Sequence, residues 1–198
     1  YADTETIHTL IEQRTAIQPE APAIIFRDEI VSFDELNKRA NQIAHYLITY
    51  GAAPGTIVGL CLERSVDLVA ALLGIFKAGA AYVPLDPNYP NDRLEWMLTD
   101  TQAPLLITHS KLQQSLPLTA AKMICIDTQW SEISQYPDTN PECMATKDDL
   151  PRILYPSGST AKPKAVTTKH QDSCNLANAQ SHTFGLSPDD RMLHSSSL

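Results

Sequence analysis

No stretch of this 198-residue chain approaches the roughly 18 consecutive apolar residues that a membrane-spanning helix needs, so no helical span is expected. The opening Tyr1-Ala2-Asp3-Thr4-Glu5 also lacks the basic and apolar regions of a signal peptide, and cytoplasmic residence is the expectation. Cysteine is sparse and scattered. Cys61, Cys125, Cys143 and Cys174 form no Cys-x-x-Cys pair and no histidine stands at zinc-finger spacing from them, so no metal centre is expected. Positive charge is in deficit, with 15 Lys and Arg against 23 Asp and Glu and a net charge of -8. That balance argues against non-specific nucleic-acid binding, which needs cations to displace phosphate counterions. Internal repeats and low-complexity tracts are absent too.

What is present is 43% hydrophobic residues, enough to bury a substantial core in one domain or one large subdomain. Helical and strand patterns alternate along it. Ile7, Leu10 and Ile11 recur at helical spacing up to about Gln18, and Ala23-Ile24-Ile25-Phe26 and Ile30-Val31 flank Arg27-Asp28-Glu29 like a hairpin. Ser32 and Glu35 make an S-x-x-E capping box, Leu36, Ala40, Ile43, Ala44 and Leu47 form one apolar stripe, and Gly51 sits where a glycine cap belongs. Ile57 to Leu62 is a continuous apolar run, as expected of a strand buried on both faces of a parallel sheet.

Ser65 caps the next helix, with Val66, Val69, Leu72, Leu73 and Phe76 as its inward face and Gly79 as its end. Ala81-Tyr82-Val83 follows as a strand, Asn91 can cap a helix through Leu94, Met97 and Leu98, and Pro104 to Ile107, Met123 to Ile126 and Ile153 to Tyr155 are further strands. The fold class is α/β, with a mostly parallel sheet layered with helices on both faces. Residues 127–149, which include Pro137-Asp138-Thr139-Asn140-Pro141, are expected to be an exposed connector. Pro151 must lie at the very start of its strand, because proline removes a ladder donor. Cys61 and Cys125 sit in strand-like runs as small buried hydrophobes, His45 lies within a helical pattern as a boundary residue rather than a catalyst, and Arg93 is expected to pair with a nearby carboxylate.

The densest chemistry lies in Tyr155-Pro156-Ser157-Gly158-Ser159-Thr160-Ala161-Lys162-Pro163-Lys164-Ala165. Turn N–H groups, hydroxyls and lysines crowded beside an apolar strand suit a bound phosphate. By composition alone such a cluster also fits a solvated loop. It is not the common P-loop, because the second glycine of that motif falls on Pro163.

Two further motifs, Phe76-Lys77-Ala78-Gly79-Ala80-Ala81-Tyr82-Val83-Pro84-Leu85-Asp86 and Val31-Ser32-Phe33-Asp34-Glu35-Leu36-Asn37, stand before that loop. Together the three resemble the core motifs of amino-acid adenylation domains of non-ribosomal peptide synthetases, in the AMP-forming adenylate ligase superfamily, and they stand in that family's order. Tyr89-Pro90, Arg93-Leu94, Met97-Leu98, Asp100, Asp149-Leu150, His170 and Asn175 extend the likeness over nearly the whole chain.

The resemblance implies ATP with magnesium, formation of an aminoacyl-AMP, and transfer to a phosphopantetheine thiol on a partner carrier domain. It implies that Ser157, Gly158, Ser159, Thr160, Lys162 and Lys164 contact phosphate, and that no catalytic residue is carried by this stretch. It also implies that residues 1–198 are a truncated, incomplete N-terminal core of an adenylate-forming ligase, whose partners are the remaining adenylation segment and other synthetase domains. The family loop reads Tyr-Thr-Ser-Gly-Ser-Thr-Gly-x-Pro-Lys-Gly, whereas this chain has Pro156, Ala161 and Ala165. Those departures favour an alternative in which the fold is a non-catalytic scaffold or docking subdomain. An acyl or aryl acid ligase fits the Lys77 to Asp86 motif less well.

Overall fold

The structure is a computed structural model and describes residues 6–142, 144–156 and 164–194. Helix α1 spans Ile7–Ile17, and strands β1 (Pro22–Phe26) and β2 (Glu29–Ser32) form an antiparallel hairpin whose turn holds Arg27 at φ 56. Helix α2, Phe33–Thr49, starts at Ser32, whose hydroxyl accepts a hydrogen bond from the Glu35 N–H at 3.2 Å. Only that half of the expected capping box forms. The Glu35 carboxylate pairs instead with Arg39 one turn on, at 2.6 Å, because an i,i+4 guanidinium offers a charge-assisted partner.

Strand β3 (Ile57–Cys61), helix α3 (Val66–Lys77) and strand β4 (Ala81–Pro84) make a βαβ unit, with α3 opened by Ser65 accepting from the Leu68 N–H at 3.1 Å. Helix α4 is Asn91–Thr101, and Pro90 rather than Asn91 occupies its cap position, without a side-chain cap. Strand β5 (Leu105–Thr108), one-turn α5 (Ser110–Gln113), β6 (Lys122–Cys125), one-turn α6 (Trp130–Ile133), β7 (Arg152–Leu154), β8 (Val166–Thr168) and helix α7 (His170–Phe184) complete the described elements. The main sheet runs β6-β5-β3-β4-β7-β8, parallel throughout except for β8, which is antiparallel to β7. Pro151 precedes the first residue of β7, and its carbonyl accepts from the Tyr82 N–H at 2.9 Å, so the proline takes part in the ladder only as an acceptor.

Strand alternation divides the core between the two faces of the sheet. Val58, Leu60 and Tyr82 pack with Ile43, Leu47, Ala71 and Ile75 on the side of α2 and α3. Cys61, Val83, Leu85 and Leu106 pack with Leu94, Met97 and Leu98 of α4 on the other. The spacing of Val66, Val69, Leu72, Leu73 and Phe76 predicts one inward face for α3, but the helix is buried almost all round. Leu68, Ala70, Ala71 and Ile75 are inside, while Val69 and Leu72 are only partly covered. It lies between the sheet and α2, so both its sides are interior.

Residues 127–149 are exposed over most of their length yet do not form a plain connector. They begin with α6, bury Ile133, and run as a strap along α2. Asn41 Nδ2 donates to the Asp138 carbonyl at 2.6 Å, Gln42 Nε2 donates to the Ser134 carbonyl at 2.9 Å, and His45 Nε2 lies 3.0 Å from the Thr139 carbonyl. Three polar side chains on one side of α2 thus supply the partners that the strap's irregular backbone needs.

Candidate functional site

The chain passes from β3 to its neighbour β4, then returns so that β5 lies on the far side of β3. The segments leaving β3 and β4 therefore diverge to opposite faces, one into α3 and one into α4. This is a topological switch point, where open α/β sheets place their ligand crevices. A cavity of about 470 Å³ opens there, lined by Leu62, Glu63 and Arg64 after β3, Leu85, Asp86 and Pro87 after β4, and Phe26 and Arg27 of the hairpin. Asp86 is engaged within its own turn, its Oδ1 accepting from the N–H and the side-chain amide of Asn88, both at 2.9 Å.

Strand β7 lies beside β4, so the segment that begins at Tyr155 leaves the sheet at the same edge. Leu154 pairs with Val166, and residues 155–165 connect them. Ser157, Gly158, Ser159, Thr160 and Lys162 lie outside the described residues, whereas Lys164 is described and exposed. Their part in binding phosphate is thus argued from sequence, with the geometry of the flanking residues beside it.

Before the loop, Tyr155 is buried, its ring edge-on to Trp96 with centroids 5.0 Å apart and its phenol donating to Asp100 Oδ2 at 2.5 Å. Burial and then the Asp100 carboxylate push that phenol above the usual tyrosine range. Arg93 does not pair with a carboxylate among the described residues. Its guanidinium lies over the Tyr89 ring, 3.9 Å from the centroid, and Nη2 donates to the Tyr155 carbonyl at 3.5 Å. The chain leaving β7 past the first turn of α4 puts the Tyr155 carbonyl, and Tyr89 just before α4 puts a ring, where an ion partner was expected.

After the loop, β8 leads to His170, the first residue of α7, which is buried edge-on against Phe76 (5.6 Å between centroids) and His8 (5.9 Å). Its Nδ1 accepts from the Ile7 N–H at 3.4 Å. Burial lowers the His170 pKa to about 4, against a smaller upward pull from Asp149. The His8 pKa is lowered to about 3 by burial, then by His170 and Lys77. Lys77 is fully buried at the end of α3, where its ammonium forms an ion pair with Glu12 of α1 and donates to Asn140 Oδ1 of the strap at 3.1 Å.

Sequence reasoning found the residues of these anchors but not their partners. Asp100 and Tyr155, and Glu12 and Lys77, are far apart in the chain. The one local signal for Lys77 was a lysine closing an otherwise apolar helix. Among the described residues no group of three or more His, Cys, Asp and Glu side chains could hold a metal ion. Cys61 and Cys125 are buried free thiols, as the apolar runs suggest, and burial followed by Asp86 pushes Cys61 up to about 12. None of the described helices is long and apolar enough to cross a membrane.

Comparison with known proteins agrees with this architecture. The family model described as AMP-binding enzyme matches residues 11–198. A linear gramicidin synthase component of Brevibacillus parabrevis is 41% identical over 97% of this chain, and chondramide synthase cmdD of Chondromyces crocatus is 39% identical over 99% of it. The chain spans only 4% and 5% of the lengths of those proteins. Among solved structures, the non-ribosomal peptide synthetase FmoA3 in an AMPPNP-bound form superposes with a TM-score of 0.91 at 26% identity, covering 100% of this chain and 21% of that one. The N-terminal subdomain of Klebsiella oxytoca NpsA superposes with a TM-score of 0.77 at 26% identity, covering 88% of this chain and 44% of that one. The chain belongs to the AMP-binding enzyme family and corresponds to an N-terminal part of an adenylation domain of the non-ribosomal peptide synthetase kind.

Proposed function

We propose that this chain provides the phosphate-binding part of a site that activates an amino acid with ATP as the aminoacyl-AMP, for transfer to a phosphopantetheine thiol on a carrier domain. What supports the reading is the position of the loop's ends. Tyr155 and Lys164 flank it at the edge of a parallel sheet beside a switch-point cavity, and a relative of the same fold carries AMPPNP in its solved structure. ATP supplies the phosphoryl electrophile and pyrophosphate as the leaving group. Ser157, Ser159 and Thr160 donate hydrogen bonds to phosphate oxygens, Gly158 allows close backbone approach, and Lys162 and Lys164 add positive charge where negative charge gathers. Among the described residues no group of three or more His, Cys, Asp and Glu side chains could hold a metal ion, and a magnesium ion accompanying the nucleotide would take phosphate oxygens among its ligands. The acyl-accepting side belongs to the remaining adenylation segment and to other synthetase domains.

Pro156, Ala161 and Ala165 support a second reading, in which the fold serves as a scaffold within a synthetase. Proline removes an N–H and a hydroxyl from the loop, and alanine is strained wherever glycine's positive φ is needed. Calorimetric titration of magnesium ATP into this chain, beside a Pro156→Thr, Ala161→Gly, Ala165→Gly variant, separates the two. Saturable binding to the unaltered chain supports the nucleotide site. Binding only after the loop is restored supports the scaffold, and binding to neither removes the phosphate role from this chain on its own.

A further inference from the structure

We infer that Arg93 of α4 is a direct contact for the polyphosphate chain of the nucleotide, supplied from outside the loop. This rests on the loop's phosphate-binding role. Both observed partners of the guanidinium are uncharged. The Tyr89 ring lies 3.9 Å below it and the Tyr155 carbonyl is 3.5 Å from Nη2. Its Nε is buried with no hydrogen-bond partner among the described residues. A half-buried cation facing a ring and a carbonyl keeps its full charge, and an aromatic face orients a guanidinium without neutralising it. Its planar fork of donors suits the oxygens of a phosphate better than any single point charge would.

Position makes the inference specific to this chain. The carbonyl that Arg93 engages belongs to the residue immediately before Pro156, where the loop has neither a backbone donor nor a hydroxyl. Arg93 therefore stands next to the place where the loop is short of donors. It also lies in the first turn of α4, whose N-terminal dipole favours an anion on the same side. A structural ion pair, the ordinary explanation for such an arginine, is excluded among the described residues.

The test is calorimetric titration of tripolyphosphate and, separately, of magnesium ATP into the full chain and its Arg93→Gln and Arg93→Lys variants, each also in a Pro156→Thr background. Losing one charge-assisted contact should weaken both ligands by about tenfold in Arg93→Gln. In the Pro156→Thr background the loss should shrink, since a hydroxyl and an N–H return beside the arginine. Equal affinity in Arg93→Gln overturns the inference and leaves the loop's role intact. Loss for ATP alone overturns it as well, by placing the contact elsewhere on the nucleotide. No binding of tripolyphosphate to the unaltered chain overturns both the inference and the loop's role. If Arg93→Gln does not fold, Arg93→Lys decides: a severalfold loss in a folded variant supports a forked contact, and wild-type affinity overturns it.

Discussion

The phenol of Tyr155 donates to the carboxylate of Asp100 across 2.5 Å, tying the chain that enters the phosphate loop to helix α4. The bond joins residues 55 positions apart and leaves the ring wedged against Trp96. Because Asp100 is otherwise exposed, Tyr155→Phe leaves it solvated rather than stranded, and the expected loss is about 1 kcal/mol by urea unfolding. Asp100→Asn keeps the geometry with a neutral acceptor and should cost less. If both variants match the parent in midpoint and in ATP affinity, the bond anchors nothing.

Lys77 and Glu12 give an asymmetric prediction. With the ammonium fully buried, Glu12→Ala withdraws a negative partner and should destabilise the chain by about 3 kcal/mol. Lys77→Met, which removes the charge and keeps the stem, should cost clearly less. Equal losses in urea melts would overturn the asymmetry and mean that the intact ion pair itself stabilises the fold, rather than that a stranded charge destabilises the variant.

Gly74 marks the closest approach of α2 and α3. A Cβ there would meet Ile43 Cγ2 at 2.6 Å, Ile43 Cβ at 2.8 Å and the Ala40 carbonyl oxygen at 3.1 Å, and two of those atoms cannot move without the backbone. Despite alanine's better helix propensity, Gly74→Ala should therefore destabilise by about 2 kcal/mol, measurable as a lower thermal midpoint. A midpoint at or above the parent's would show that the helices separate freely. Ile43→Ala in the Gly74→Ala background removes the crowded Cγ2, so the double variant should lose less than the two single losses added together.

The same crossing explains what could and could not be seen in the sequence. Strands β3 to β5 were visible because a strand covered on both faces is apolar along nearly its whole length, and the caps at Ser32 and Ser65 are local chemistry. The near-complete burial of α3 was hidden: Ala70, Ala71 and Gly74 look neutral in a periodicity argument, although their small size lets α2 lie so close. The order of the strap was hidden because it comes from Asn41, Gln42 and His45 on α2, far back in the chain. At the site, the loop motif named a ligand, while the partners of Arg93, Tyr155 and His170 depend on strand order and could not be read from spacing.

The two buried histidines set the acid sensitivity of the α1, α3 and α7 junction. Both folded-state pKa values lie below the ordinary histidine value, His170 at about 4 and His8 at about 3, with burial the first cause in each. The unfolded chain therefore takes up protons near pH 6.5 while the folded chain stays neutral, and stability falls as the pH drops from 6.5 toward 4. Each histidine should remove about 2 kcal/mol between pH 7 and pH 5, an order-of-magnitude figure set by the 1.36 kcal/mol per pKa unit of linkage. Urea midpoints at the two pH values measure the sum. His170→Phe, which preserves a ring against Phe76 and His8, should remove roughly half of the pH dependence, whatever it does to stability at pH 7. His8 then loses a like-charge neighbour and should itself titrate nearer the ordinary value, which two-dimensional NMR of its ring protons would register. A variant with the parent's full pH dependence would place the acid-sensitive groups outside this junction.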